Sequence, residues 1–136
     1  MNLTETAALL AYIGELDGRT ITDATVEAWN DVLKDISLPD AKQAVVTHVH
    51  TSPGEWLTID RILHHVKTIR KQRLNAIGTI TPNAVDCAST AAELEARRRL
   101  TQLIADGRLT PNDYRTYQES GQPLTDWMAQ KQLGAA

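Results

Sequence analysis

Five side chains of this sequence have the chemistry to bind a metal ion. The histidines occur as His48-x-His50 and as the adjacent pair His64-His65, and the single cysteine is Cys87. Zinc sites usually hold such ligands at recurring spacings, such as paired CxxC motifs or HExxH on a helix. Neither spacing occurs here, and adjacent residues of a helix point in different directions. We therefore predict no metal site and interpret His48 as a histidine at the edge of a core.

Catalytic motifs are not indicated either. A nucleophilic residue needs a base and an orienting group beside it, and the sequence has no GxSxG or comparable pattern. Carboxylates occur close together, as in Asp31 with Asp35 and Glu93 with Glu95, but charged helix faces commonly show this spacing. The phosphate-binding patterns GxxxxGK[ST] and GxGxxG are absent. We predict a protein that is not an enzyme and that uses no cofactor.

The charged residues are distributed unevenly along the chain. Residues 1–60 contain ten acidic and three basic residues, whereas residues 61–73 contain five basic residues and no acidic one. Like charge is costly to concentrate unless a partner compensates it, so the basic segment indicates a binding surface. An alternative is a solvated face that balances the acidic helices before it. The predicted face for a partner or DNA comprises Arg61, His65, Lys67, Arg70, Lys71 and Arg73.

Apolar residues recur at spacings of three and four almost throughout, which predicts an all-α protein. Residues 1–74 are predicted to form a four-helix bundle, and residues 75–89, which lack a clear period, a linker. Residues 90–136 form a small C-terminal helical segment with too few large apolar residues for a closed core of its own. The predicted helices start near Thr4, Thr22, Pro39, Thr58, Thr90 and Thr110. Among the side chains predicted to lie on one face of their helices are Leu9, Ile13, Leu16, Val45, His48 and Val49.

The fourth predicted helix combines charge with an apolar face. At 100° per residue, Arg70 and Arg73 fall within the same arc as Ile62 and Val66. Charged side chains are rarely buried without a partner. Either the end of this helix extends beyond the core, or the two arginines pair with acidic residues or with a binding partner.

The large side chains of the C-terminal segment are a second candidate site. An aromatic residue beside a flexible thioether, as in Trp127-Met128, suits the groove of a partner protein. The alternative is that these residues dock onto the protein's own helices, because exposed tryptophan is disfavoured in soluble monomers. The binding candidates are Leu100, Leu103, Tyr114, Tyr117, Trp127 and Met128.

The sequence also gives an expectation for localisation. Residues 1–5 lack the basic patch and long apolar run of a signal peptide. No stretch approaches the roughly 18 apolar residues that a membrane span needs. We expect a soluble cytoplasmic protein with no membrane partner.

Five stretches of residues 8–74 occur in a familiar order and spacing. They resemble the N-terminal helical domain of phage-encoded proteins that load or inhibit replicative, DnaB-type helicases, and the resemblance covers roughly half the chain. The stretches are Leu9-Leu10-Ala11-Tyr12-Ile13, Ala28-Trp29, Ala41-x-x-Ala44-Val45-x-x-His48, Trp56-Leu57-Thr58-Ile59-Asp60-Arg61-Ile62 and Val66-Lys67-x-Ile69-Arg70-Lys71-x-Arg73-Leu74.

This resemblance implies a function in DNA replication without enzymatic activity. The protein would bind the hexameric helicase in the host cytoplasm and restrain it until an origin-binding initiator takes over. The six C-terminal candidates would contact the helicase, and the basic face would contact a second replication protein or DNA. The family has a mobile C-terminal segment, whereas residues 90–133 here predict capped helices. Three alternatives remain: a DNA-binding regulator, a phage inhibitor of another host protein, and a dimeric adaptor.

Overall fold

The computed structural model describes residues 1–134 as an all-α protein, which confirms the predicted fold class. The chain divides into two compact units, and the division follows Ile69. We call them the N-terminal unit (Met1–Ile69) and the C-terminal unit (Arg70 onward). The helices are α1 (Leu3–Asp17), α2 (Asp23–Leu33), α3 (Leu38–Thr51), α4 (Ile59–Ile77), α5 (Thr90–Ala105), α6 (Pro111–Ser120) and α7 (Leu124–Gly134), with a 3₁₀ turn at Ala84–Asp86.

Short polar side chains fix where the helices begin. Thr22 caps α2 and Thr110 caps α6, in agreement with the predicted starts. The cap of α1 is Asn2 rather than Thr4, and the cap of α5 is Ser89 rather than Thr90. Each cap accepts a hydrogen bond from the backbone N–H three residues later, which satisfies a donor that the first helical turn leaves unpaired. The errors are small because both regions offer several residues that can act as caps.

The N-terminal unit has an aliphatic core to which all four of its helices contribute. Helix α1 packs against α2 and α3, and the first part of α4 adds Ile62 and Val66. Tyr12 and Trp29 lie at the edge of this core, partly buried. The fully or nearly buried core residues are Leu9, Leu10, Ile13, Leu33, Ala41, Ala44, Val45, Leu57, Ile62 and Val66.

The C-terminal unit has a core of its own, and this core uses aromatic residues. Leu74, Ile77 and Ile80, which come before α5, are partly buried against this core. Its buried members are Leu100, Leu103, Ile104, Leu109, Tyr114, Tyr117, Leu124, Trp127 and Met128. None of the helices in the described part of the chain combines the length and the apolar character that a membrane span requires.

The predicted linker at residues 75–89 is part of this unit. The hydroxyl oxygen of Tyr114 accepts the backbone N–H of Thr81, and that of Tyr117 accepts the backbone N–H of Asn83, both at 2.8 Å. Tyr117 in turn donates to a carboxylate oxygen of Asp86 at 2.8 Å. The segment therefore has a defined path without a helical period, because side chains about thirty residues later satisfy its backbone.

Candidate protein-binding surfaces

Two arginines of the predicted basic face bind the C-terminal end of α5. Arg70 forms an ion pair with Asp106, the residue that caps the helix, and Nη1 of Arg73 donates to the carbonyl oxygen of Ala105 at 2.9 Å. The last carbonyl groups of a helix lack partners within it and carry partial negative charge. Arg70 and Arg73 therefore make contacts within the C-terminal unit that stabilise the end of α5. Pairing within the protein was one of the two predicted alternatives.

The turn after α5 is shaped by the same contact. Gly107 has a φ of +75°, a left-handed conformation that favours glycine. A Cβ atom at this position would also lie 2.9 Å from the guanidinium carbon of Arg73. A side chain there would thus oppose both the backbone conformation and the position of the arginine.

His65 does not contribute positive charge to the basic face at neutral pH. Its side chain is half-buried, and its ring centroid lies 6.4 Å from that of buried His48 and 5.4 Å from that of His64. Burial lowers the pKa of His65 from its ordinary value of 6.5, and the charges of His64, His48 and Arg61 lower it further. No group of three or more His, Cys, Asp or Glu side chains in the described residues is placed to hold a metal ion.

The remaining members of the basic face are exposed. Arg61 lies 3.6 Å from Glu55, and both side chains are about half exposed or more, so this ion pair contributes little to stability. Lys67 and Lys71 are exposed on α4. Three of the six predicted residues thus remain as cations at the surface.

The six candidates of the C-terminal segment lie in a core rather than on a surface. Leu100 and Tyr117 are fully buried, and Leu103, Tyr114, Trp127 and Met128 are each less than a tenth exposed. Tyr117 and Trp127 meet edge to face, with ring centroids 6.1 Å apart. Burial raises the pKa of the Tyr117 hydroxyl, which therefore remains protonated and can donate to Asp86. These residues therefore pack within the protein, as the alternative to partner binding predicted.

A surface that the sequence reasoning missed lies on the N-terminal unit. It is an apolar cleft of about 420 Å³ bounded by the last turns of α1 and α3 and by the loop before α4. Three large apolar side chains stand exposed around it: Leu16 at 50%, Val49 at 44% and Trp56 at 59% of full exposure. The cleft is lined by Ile13, Leu16, Asp17, Val45, His48, Val49, Ser52, Pro53, Gly54, Glu55, Trp56 and Leu57.

Arg19 holds Trp56 in place at this cleft. Its guanidinium carbon lies 4.2 Å from the centre of the Trp56 ring, a distance at which cation–π attraction is favourable. The same guanidinium pairs with Asp17 at 2.6 Å and donates to the carbonyl oxygen of Leu57 at 2.7 Å. Burial alone would raise the pKa of Asp17, but the hydrogen bonds and charge of Arg19 outweigh it and lower that pKa. The exposed indole therefore rests on a network of fixed contacts.

The sequence contained part of the signal for this cleft. Leu16 and Val49 were predicted to lie on the apolar faces of their helices, but each lies in the last turn of its helix and is half-exposed. The spacing of apolar residues shows which side of a helix faces a core, but it does not show how far along that side neighbouring segments cover it. Trp56 follows the Pro53-Gly54 turn, where no period applies.

Comparison with known proteins adds no relative to these observations. No family model, curated protein or solved structure matches the chain. The fold and surfaces described above define a small all-α protein of two compact units, one of which carries an apolar cleft.

Proposed function

We propose that this protein is a non-enzymatic accessory factor of phage DNA replication. In this proposal it binds a hexameric, DnaB-like replicative helicase and loads or inhibits it. The supporting observation is that most of the residues that carry the resemblance lie in the N-terminal unit. Nine of the ten buried core residues of the N-terminal unit lie in the five resembling stretches, and Leu33 is the exception. The resemblance thus follows side chains that specify a compact helical domain.

The C-terminal unit enters this proposal as a folded module rather than an extended tail. Because its six aromatic and aliphatic candidates are buried, a helicase contact would use other side chains. Among its described residues, Val85, in the 3₁₀ turn, and Leu94, on α5, are large apolar side chains that are exposed. Exposed aliphatic side chains that lose contact with water on association provide most of the favourable free energy of such contacts.

The test is binding of the full-length chain to the purified hexameric helicase of the host, with and without ATP, by mass photometry. We expect a complex of defined mass in at least one nucleotide state. Leu94→Glu should weaken it, whereas Leu3→Glu, at an exposed leucine of the other unit, serves as the matched control. The absence of a complex in both nucleotide states would reject the proposed function.

The exposed lysines support a second proposal, contact with DNA during loading. Lys67 and Lys71 are exposed on α4, whereas Arg70 and Arg73 are engaged within the C-terminal unit. Two phosphate contacts would give a slope of about −2 for the logarithm of affinity against the logarithm of salt concentration. Lys67→Glu and Lys71→Glu, made separately, should each reduce that slope by about one. Affinity that does not change with salt would reject a DNA contact.

A further inference from the structure

We propose that the cleft beside Trp56 binds a basic amphipathic helix of another protein. The apolar side chains of that helix would pack against Leu16, Val49 and Trp56, and its Lys or Arg side chains would be attracted by the net negative charge of the N-terminal unit. This inference goes beyond the proposed helicase binding, because it assigns a site and the chemistry of its ligand. It holds or fails independently of which protein supplies the helix.

The first argument is the arrangement of the apolar side chains. Leu16, Val49 and Trp56 come from three different segments and are exposed around one cleft. Contiguous exposed apolar surface rimmed by polar residues typically marks an interaction site. Tryptophan is also enriched among the residues that dominate binding energy.

The second argument is that the tryptophan is already positioned. Arg19 contacts its ring, pairs with Asp17 and donates to the backbone of Leu57. Binding usually requires surface side chains to lose rotamer freedom, and this loss opposes association. At Trp56 part of that entropy has been lost on folding, so more of the contact energy is available for binding.

The third argument concerns the shape of the ligand. The cleft is bounded by the last turns of two helices, α1 and α3, and by the loop that ends at Leu57. Grooves beside helices commonly accept a further amphipathic helix, whose side chains three and four residues apart point to one face. Leu16, Val49 and Trp56 provide three contact points for such a face.

Charge complementarity determines which helix would fit. The charged residues that line the cleft are the carboxylates Asp17 and Glu55, and no Lys or Arg lines it. Although Arg19 and Arg61 pair with them, the N-terminal unit has ten acidic and five basic residues, a net charge of −5. A cationic ligand is therefore favoured over an anionic one.

The three tryptophans provide a direct readout for this proposal. The probe is a synthetic amphipathic helix of about 15 residues with leucines on one face and lysines on the other. In ¹H–¹⁵N spectra of the full-length protein, we expect the peptide to shift the indole N–H signal of Trp56. The signal of Trp127, buried in the C-terminal unit, should not move. A peptide with Glu in place of every Lys should bind at least about tenfold more weakly.

A matched pair of valines tests the location. Val49 and Val32 are similarly exposed, at 44% and 47%, and both belong to helices of the N-terminal unit, but Val32 does not line the cleft. Val49→Glu should weaken peptide binding by about tenfold or more, and Val32→Glu by less than about twofold. Circular dichroism of both variants verifies that they fold. Trp56→Ala gives a second test of the cleft at a residue whose side chain is mostly exposed.

Four results would overturn the proposal. The first is equal binding of the acidic and basic peptides, and the second is an equal effect of Val49→Glu and Val32→Glu on peptide binding. The third is self-association of the protein that Val49→Glu abolishes, which would assign the cleft to a second copy. The fourth is binding of a small apolar dye at Trp56 without binding of either peptide, which would assign the cleft to a small molecule. Peptide binding at Trp56 without any helicase complex would support the cleft and reject the proposed function, and the reverse pattern would do the opposite.

Discussion

The two units use their aromatic residues in opposite ways. In the N-terminal unit the core is aliphatic, and the exposed Trp56 ring contacts the guanidinium group of Arg19. In the C-terminal unit Tyr114, Tyr117 and Trp127 belong to the core, and the tyrosine hydroxyls accept hydrogen bonds from the backbone of the preceding segment. The four helices of the N-terminal unit bury a core of aliphatic side chains and leave Trp56 exposed, whereas the core of the C-terminal unit adds large aromatic rings to its leucines and isoleucine.

The C-terminal aromatic residues had two interpretations, partner binding or docking within the protein, and their burial agrees with docking. Burial makes Trp127 a determinant of stability, and exposure makes Trp56 a candidate for binding. The same residue type thus has a different role in each unit, and variants at the two positions separate these roles most clearly.

The largest expected effect is the difference in stability cost between truncating Trp127 and truncating Trp56. Trp127→Ala should lower the free energy of unfolding of the C-terminal unit by about 3–5 kcal/mol, because a cavity replaces a buried ring. Trp56→Ala should cost less than about 1 kcal/mol, because most of that side chain is already in water. Urea denaturation followed by circular dichroism measures both. Equal costs would show that the two rings do not differ in burial as described.

The next effect tests the hydrogen bonds of the buried tyrosine. Tyr117→Phe keeps the ring but removes the hydroxyl that donates to Asp86 and accepts from Asn83. Because both partners would lose a hydrogen bond in a partly buried site, we expect a loss of about 1–3 kcal/mol. Hydrogen exchange should increase at the Asn83 amide in particular. Tyr12→Phe, at the edge of the other core, is the control and should cost little.

How well the sequence predicts a feature of this structure depends on how far apart in the sequence the interacting residues lie. Helix existence follows from side chains three and four apart, so the all-α class was predicted correctly. The partner of Arg70 lies 36 residues away, and the residues that position Asn83 lie 34 and 39 residues away. No local pattern reveals such pairs, which is why a structured segment was predicted to be a linker.

The cleft was missed for a related reason. Helical angle places Leu16 and Val49 on inward faces, but burial depends on whether another segment covers the end of each stripe. At this end the neighbouring segment is the loop with Pro53, Gly54 and Trp56, whose path no period predicts. The sequence therefore specified the helices and left the surface between them undetermined.

Adjacent residues on α4 provide a third, smaller test within the C-terminal unit. Arg70→Ala should destabilise it by about 1 kcal/mol, because the end of α5 loses its ion pair at Asp106. Lys71→Ala should change stability by less than about 0.5 kcal/mol, because this lysine is exposed. Thermal denaturation measures the difference. If both substitutions weaken partner binding equally without loss of stability, Arg70 belongs to the binding face after all.

The smallest expected effect is a dependence of the N-terminal unit on pH. The pKa of His65 is lowered in the folded state, mainly by burial and then by His64, His48 and Arg61. Between the folded pKa and the ordinary value of 6.5, the unfolded chain therefore binds more protons than the folded one, and stability falls as pH decreases through this window. The lowered pKa values of Asp17 and Asp60 contribute stability that is lost only at more acidic pH, below their ordinary value of 3.8.

Unfolding of the full-length protein between pH 7 and pH 5 tests this expectation. His65→Gln should flatten the decline, and His50→Gln, at an exposed histidine of the same unit, should leave it unchanged. Amides that exchange only on unfolding of the N-terminal unit should follow the decline more closely than those of the C-terminal unit, which contains no histidine. An equal decline in both units would assign the pH dependence to groups other than His65 and remove this difference between them.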